Sequence, residues 1–265
     1  MSVYGIAMVK DEADVIEQTV RHMKAQCDEV VVADNMSTDG TYEILRDLGV
    51  TVIRDPEKAY YQSRKMSDLA QRCREAGATW VVPFDADEIH MSSQGTIRDV
   101  LGTLPADVLI SEAPLFDHVA TGKDEGGTTL KRMTYRRAAP APLRKIAVRA
   151  VEGVTIHQGN HSAEFPGIAS PKTVTNLIQV RHFPYRSVEQ FVSKVRNGAA
   201  AYAASDLPET AGAHWRQYGR ILDERGEEGI AEIFHTWFYR ENPDIEAVIG
   251  SEQQPPLVCD PCPRS

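Results

Sequence analysis

The chain has 265 residues, which suits one large α/β domain with a C-terminal extension better than two independent cores. Hydrophobic residues make up 42% and charged residues 25% of the sequence, and these values exclude disordered or fibrous classes for the whole chain. The formal net charge of −9 argues against a general attraction to a phosphate backbone, so no nucleic-acid partner is expected.

The first half of the sequence alternates apolar runs with segments of helical periodicity. In chain order, the pattern predicts strands at residues 3–9, 29–33, 49–53 and 79–84, separated by helices at residues 12–26, 41–48 and 63–75. This alternation is typical of a parallel sheet with right-handed crossovers. In such sheets a ligand binds beyond the carboxyl ends of the strands, so chemistry is expected there.

The pattern loosens past residue 104. It predicts strands at residues 108–111 and 147–156, a long glycine- and charge-rich loop at 121–137, a strand-like run at 176–180, helices at 188–204, 212–225 and 228–239, and an extended proline-rich tail at 251–265. Long loops of this kind often bind ligands. The locally basic stretch from Arg132 to Arg149 is interpreted as a solvated or substrate-facing surface.

The cellular location is predicted from two kinds of segment that the sequence lacks. No apolar stretch reaches the length of a membrane-spanning helix. The first predicted strand follows the start of the sequence directly, without the basic start and apolar run of a signal peptide. We therefore expect a cytoplasmic protein with no membrane span.

The acidic segment from Asp85 to Glu88 follows an apolar strand directly, where ionised carboxylates need a partner. Alternate side chains of an extended segment project to one side, so Asp85 and Asp87 are expected to face the same way. Carboxylate oxygens suit Mg²⁺ or Mn²⁺, which would bridge two phosphates. The alternative interpretation is a solvated acidic turn that ends a strand.

A second polar cluster, residues 34–41, follows the second predicted strand and opens a helix. A well-capped turn would explain Ser37, Asp39 and Gly40, but it does not require Asp34 and Asn35 to be polar. Asp34 is therefore a candidate to accept hydrogen bonds from a base or a ribose.

These clusters belong to three motifs that occur in order: VKDE at residues 9–12, VVADNMSTDGT at 31–41 and FDADE at 84–88. Together they resemble the family 2 glycosyltransferases of GT-A fold, especially the branch that begins with a K-N-E-like motif. A weaker likeness, to a subgroup of bacterial and phage-encoded members, continues at residues 159–161, 181–187, 214–216 and 257–261. The resemblance implies a Rossmann-like nucleotide-diphospho-sugar transferase fold with a C-terminal helical extension.

The resemblance also implies roles at the matching positions. The donor would be bound by Lys10, Glu12, Asp34 and Asn35 around the nucleoside, by Gln62, Arg64 and Lys65 at the start of the third helix, and by Asp85 at the ribose or through a metal-bound water. Asp87 would ligate a divalent cation, Mn²⁺ or Mg²⁺. This sequence has Asp11 where many relatives carry Asn.

Many members add a histidine from the C-terminal half to the metal site. His182 is the first choice because it follows the strand-like run 176–180, and His161 and His157 are the rivals. The general base lies in no motif that can be aligned. Its candidates are Glu112, Asp117 and Glu164.

The implied activity is transfer of a sugar from a UDP- or GDP-sugar to an unidentified acceptor hydroxyl, with inversion. The cation would stabilise the leaving diphosphate, and a carboxylate would take the acceptor proton. The corresponding organisation is a domain at residues 1–185, followed by a helical region at 186–250 and a tail at 251–265. Within the domain, residues 1–104 would bind the donor and residues 105–185 the acceptor.

Three alternatives stay open at this point. A sugar-phosphate nucleotidyltransferase would share the fold, but it usually has a glycine-rich phosphate loop that residues 10–14 lack. A non-catalytic nucleotide- or sugar-binding module would not need both Asp85 and Asp87. An enzyme acting on modified DNA bases would be supported by the basic stretch alone.

Overall fold

The computed structural model describes residues 1–246 and 256–262, so the predicted tail 251–265 lies partly outside the described residues. The helices are α1 (Ile16–Gln26), α2 (Thr41–Asp47), α3 (Gln62–Glu75), α4 (Ile97–Gly102), α5 (Thr129–Arg132), α6 (Val188–Ala203), α7 (Ala213–Ile233) and α8 (Pro243–Glu246). A 3-10 turn, Gln158–Asn160, and a π-helical turn, Phe234–Phe238, complete the helical segments of these described ranges.

The described residues contain sixteen strands. They are β1 (Val3–Val9), β2 (Glu29–Asp34), β3 (Thr51–Arg54), β4 (Trp80–Pro83), β5 (Glu88–Met91), β6 (Val108–Ala113), β7 (Leu115–Asp117), β8 (Ala120–Thr121), β9 (Tyr135–Arg137), β10 (Lys145–Arg149), β11 (Thr155–Ile156), β12 (Ala163–Glu164), β13 (Lys172–Thr175), β14 (Gln179–His182), β15 (Tyr239–Arg240) and β16 (Leu257–Cys259).

The central sheet has seven strands in the order β13-β6-β10-β4-β1-β2-β3. Strands β4, β1, β2 and β3 are parallel, as the alternation of elements predicts, whereas β10 runs antiparallel to both β4 and β6. Apolar side chains cover both faces of the sheet, with Ile6 on one face and Val3 on the other. The predicted α/β class, with helices following the sheet in the chain, is confirmed.

A smaller sheet of β5, β14 and β7 lies at the carboxyl end of β4 and determines where the acidic segment sits. Strand β14 lies between the other two, and its last residue, His182, is in register with Glu88 on β5 and with Asp117 on β7. Because strand partners are about 5 Å apart, this pairing brings a histidine from the C-terminal half next to the acidic segment.

Several predicted boundaries differ from the structure. Residues 147–156 are not one strand, because a turn with Gly153 at a φ of 72° separates β10 from β11, and glycine tolerates that left-handed conformation. The predicted loop at 121–137 contains α5 and β9. Strand β16 from the predicted tail pairs antiparallel with β9.

The helices predicted at 212–225 and 228–239 correspond to the two segments of α7, which a kink at Gly226 separates, where φ is 66°, and to the π-helical turn that follows. Helices α6 and α7 pack on each other around a third apolar cluster that includes Phe191, Ile230 and Phe234. None of the helices in the described residues has the length and apolar character needed to cross a membrane.

Candidate active site

A cavity of about 670 Å³ lies beyond the carboxyl ends of β1, β2 and β4, where the topology predicts a ligand. Its volume is in the range of small-molecule sites. The predicted site residues that line it are Lys10, Glu12, Asn35, Gln62, Asp85, Asp87, Asp117, His161 and His182. Residues separated by more than a hundred positions in the sequence therefore share one wall.

Three predicted donor contacts do not line the cavity. Asp34 is fully buried, and its Oδ2 accepts a hydrogen bond from Arg54 Nη1 at 2.6 Å. Lys65 donates to Asp55 at 2.6 Å, and the Arg64 guanidinium lies over the ring of Tyr61. Lys65 acts on the lining through Asp55, whose Oδ2 also accepts a hydrogen bond from Asn35, whereas the Arg64 side chain is exposed and pairs with Glu57.

Three other candidates also lie outside the lining. Glu112 on β6 faces Arg144, with 4.0 Å between Oε2 and Nε. His157 and Glu164 contact each other, with 3.4 Å between Nε2 and Oε1. The structure therefore does not bring His157, Glu112 or Glu164 to the acidic segment, whereas it does bring Asp117 and His182.

Asp87 is a buried carboxylate surrounded by cationic groups. Its Oδ2 accepts a hydrogen bond from Lys194 Nζ at 2.6 Å and lies 3.5 Å from Arg186 Nη1. Burial raises the pKa of Asp87, but Lys194, His182 and Arg186 outweigh it and lower that pKa to about 2. The carboxylate is therefore fully ionised at neutral pH.

His182 approaches the other oxygen of Asp87. Its Nδ1 lies 2.7 Å from Asp117 Oδ1, and its Nε2 lies 3.7 Å from Asp87 Oδ1. Burial lowers the pKa of His182, but Asp87 and Asp117 outweigh this and raise it. A histidine whose one nitrogen donates to a carboxylate while the other faces a second carboxylate resembles the orientation of histidine ligands in metal sites.

This pair fits a divalent cation of the Mn²⁺ type, which accepts carboxylate and imidazole ligands. No cluster of three or more histidine, cysteine, aspartate or glutamate side chains suited to a metal occurs among the described residues. The remaining coordination positions would therefore have to be filled by oxygens of a ligand or water.

Asp85 lies in a different environment from Asp87. Its Oδ2 accepts a hydrogen bond from Lys145 Nζ at 2.6 Å, and its Oδ1 accepts one from Asn160 Nδ2 at 3.1 Å. Lys145 also lies 2.7 Å from Glu88 Oε1. Burial raises the pKa of Asp85, whereas the pKa of Glu88 is well below its usual value because Lys145 and His90 outweigh its burial.

Sequence reasoning missed the role of Lys145. The interpretation of the basic stretch as a solvated or substrate-facing surface names no single residue, and Lys145 is not solvated: it is 3% exposed and lines the cavity. Pairing of β10 with β4 turns this side chain toward the acidic segment.

Sequence reasoning also missed Arg186, whose side chain is completely buried. Its Nη2 donates to Glu12 at 2.5 Å and its Nε donates to Asp14 at 2.6 Å, in addition to the contact with Asp87. Burial raises the pKa of Glu12, although Arg186 and Lys194 oppose that shift. Arg186 thus joins the segment after β1 to the segment after β4.

One wall of the cavity is aromatic and comes from the C-terminal helices. Tyr202 and Trp215 line it together with Tyr60 and Tyr185. The Trp215 ring lies against Gly198 of α6, where an added Cβ would be 3.0 Å from a ring carbon. Glycine therefore allows the indole to pack directly on the helix backbone.

The geometry can be compared with known proteins. Residues 6–111 match the family model for glycosyl transferase family 2. The match runs from β1 into β6 and includes both polar clusters, so this segment of the chain is similar to family 2 glycosyltransferases, in agreement with the resemblance of the motifs. The finer assignment to a bacterial and phage-encoded subgroup stays a prediction.

Curated relatives match over a shorter segment. An uncharacterized glycosyltransferase from Rickettsia bellii (strain RML369-C) is 33% identical over 81 residues, which cover 31% of this chain and 26% of that protein. One from Rickettsia prowazekii (strain Madrid E) is 35% identical with the same coverage. The matched segment thus spans about a quarter of the length of these relatives.

Among solved structures, a mannosyltransferase from Pyrobaculum calidifontis in complex with GDP-Man and Mn²⁺ is similar at 15% identity, with coverage of 94% of this chain and 76% of that chain and a TM-score of 0.41. A mannosyl-3-phosphoglycerate synthase from Rubrobacter xylanophilus has 16% identity, coverage of 83% and 75%, and a TM-score of 0.42. Both scores are below 0.5, so the α/β class rests on the sheet topology of this chain.

Proposed function

We propose that the chain is a metal-dependent glycosyltransferase that moves a sugar from a nucleotide-sugar to an acceptor hydroxyl with inversion. The observation that carries the proposal is the 3.7 Å approach of His182 Nε2 to Asp87 Oδ1 at the cavity. It occurs in a chain whose residues 6–111 match a glycosyltransferase family. One carboxylate and one imidazole leave coordination positions for the oxygens of a diphosphate.

In this proposal Asp87 and His182 hold Mn²⁺ or Mg²⁺, and Asp117 orients His182. The bound cation supplies charge stabilisation to the leaving nucleoside diphosphate. Lys10, Glu12, Asn35, Gln62 and Asp85, which line the cavity, bind the donor. His161 also lines it and stays a rival metal ligand.

The remaining predicted residues act indirectly or lie apart. Asp34 and Lys65 support the donor pocket from behind the lining, whereas Arg64 is exposed and pairs with Glu57. His157 is the weaker rival metal ligand, because its contact is with Glu164. Residues 1–104 bind the donor and residues 105–185 the acceptor, with α6 of the region 186–250 closing the cavity.

The reaction breaks the bond between the anomeric carbon and the phosphate oxygen, and it forms a bond from that carbon to the acceptor oxygen. The acceptor proton passes to a carboxylate. Of the three base candidates, Asp117 is supported because it lines the cavity while Glu112 and Glu164 do not. Burial raises the pKa of Asp117, but the hydrogen bond from His182 and the charges of His182 and Arg137 together outweigh it and lower that pKa. The carboxylate is therefore ionised, and its Oδ2 can receive the proton.

A thermal-shift panel of UDP-, GDP-, CMP- and dTDP-sugars, with and without Mn²⁺, tests this proposal. We expect one donor class to raise the melting temperature only with Mn²⁺, because Asp87 and His182 would hold the cation and its charge would favour binding of the diphosphate. Asp87→Ala is expected to abolish both this shift and sugar transfer while circular dichroism stays unchanged. Glu17→Gln, on the exposed face of α1, is the control and should keep the shift.

Two results would contradict the proposal. A shift that persists in Asp87→Ala would remove the metal assignment. Binding of a nucleotide-sugar with no release of nucleoside diphosphate, with water or a panel of sugars as acceptors, would favour a binding module.

A further inference from the structure

Lys194 stands out among the cations of the site because it combines a short contact with Asp87 and partial exposure to the cavity. It lies on α6, lines the cavity, and its side chain is 24% exposed. Its Nζ donates to Asp87 Oδ2 at 2.6 Å and to the Pro184 carbonyl at 3.2 Å. Its charge therefore neutralises the carboxylate expected to bind the cation.

Arg186 contacts the same oxygen but is fixed in place. Its guanidinium donates to Glu12, Asp14 and the Phe183 carbonyl, and its side chain is completely buried. Lys194 instead ends in a compact charge on a flexible four-carbon stem that faces the cavity. Lys194 is therefore the cation at Asp87 that can be displaced without breaking a buried network.

A divalent cation at Asp87 and an ammonium at the same carboxylate would repel each other strongly at this separation. A diphosphate bound beside the cation would bring negative charge into the cavity within reach of a lysine side chain. Binding of the cation and binding of the diphosphate therefore both favour movement of the Lys194 side chain away from Asp87 and toward phosphate oxygens.

We propose that in the free protein the ammonium group of Lys194 takes the place of the divalent cation and neutralises Asp87. When the cation enters, Lys194 leaves Asp87 and binds the donor diphosphate. This inference rests on the proposed function. It assigns Lys194 two opposite effects, since the same ammonium competes with the cation and assists the nucleotide. A lysine that merely stabilised the wall of the cavity would assist both.

The test measures two affinities in the full chain, with Lys194→Met as the variant. Mn²⁺ binding without nucleotide, followed by electron paramagnetic resonance of free Mn²⁺, is expected to tighten by about tenfold, the effect of losing one charge-assisted hydrogen bond. Binding of UDP or GDP with saturating Mn²⁺, followed by calorimetry, is expected to weaken by about tenfold for the same reason. Uridine or guanosine, which carry no phosphate, should bind the variant as they bind the wild type.

Arg196→Met is the matched control because Arg196 is on the same helix, carries the same charge and pairs with Glu227 outside the cavity. It should change neither affinity. Weaker Mn²⁺ binding in Lys194→Met, or unchanged UDP and GDP binding, would overturn the inference while leaving the proposed function in place. A wild-type chain that binds neither Mn²⁺ nor any nucleotide would overturn both.

Discussion

The two halves of the site differ in charge. Apart from Asp117 on β7, the segments that follow strands in residues 1–104 supply its carboxylates, while β10, β14, α6 and the segment before α6 supply the cations that face them. The carboxylates are Glu12, Asp14, Asp85, Asp87 and Glu88, and their partners are Lys145, His182, Arg186 and Lys194.

This difference shows that neither half can bury its own charged side chains without partners from the other half. An ionised group removed from water without a partner costs several kcal/mol, so each set of charges needs the other. The N-terminal half carries the recognisable motifs. Their carboxylates form a site only when the second half packs on them and supplies the cationic partners. Substitutions at the contacts between the two halves measure how strongly the halves depend on each other.

The largest effect is expected at Arg186, which links three carboxylates of the first half. Arg186→Met should lower the free energy of unfolding by about 3–5 kcal/mol, because Glu12 and Asp87 lose a buried partner. Urea unfolding followed by circular dichroism measures this value. Glu17→Gln, which breaks the exposed pair with Arg21 within one helix, should cost less than about 0.5 kcal/mol.

A loss below about 1 kcal/mol in Arg186→Met would contradict the dependence of the halves on each other, because exposed pairs already reach that value.

A smaller effect is expected at Asp117, which contacts His182 from β7. Asp117→Asn should weaken Mn²⁺ binding by about 10–100-fold, the usual cost of losing a carboxylate that orients a histidine ligand. Glu112→Gln, at a carboxylate of the neighbouring strand outside the cavity, should leave Mn²⁺ affinity unchanged. Equal effects of the two substitutions would show that net charge, rather than the contact with His182, controls binding.

The smallest effect concerns pH. Because the pKa of His182 is raised, Mn²⁺ must displace a proton, and its affinity should fall by up to about tenfold per pH unit below that pKa. The imidazolium also stabilises the metal-free fold. That contribution is complete below about pH 6.5 and is lost as pH rises through the raised pKa.

His182→Gln should remove both pH dependences, as measured by Mn²⁺ titrations and urea unfolding between about pH 5.5 and 8.5. Pronounced pH dependence that persists in this variant would assign the proton to another group.

The parallel strands could be predicted because each is a short apolar run closed by polar residues. Strand β1 has the bounds that the pattern predicts, and β2 differs by one residue. The break between β10 and β11 could not be predicted, because Gly153 is one of many glycines and its backbone conformation follows from the fold.

The acidic side of the site could also be predicted, because Asp85 and Asp87 follow a strand directly. Their partners could not, since Lys145 is 60 residues from Asp85 and Lys194 is 107 residues from Asp87. His182 was preferred for its position after a strand-like run, and pairing of β14 with β5 brings it to Asp87. The packing of strands and helices that are distant in the sequence determines such contacts.

The position of Trp215 against Gly198 has a practical consequence. The sequence contains three tryptophans, of which Trp80 is completely buried and Trp237 is 45% exposed. Trp215 alone among them lines the cavity. A molecule entering the cavity changes the surroundings of this indole while those of Trp80 stay constant, so intrinsic fluorescence gives an unlabelled optical signal of occupancy.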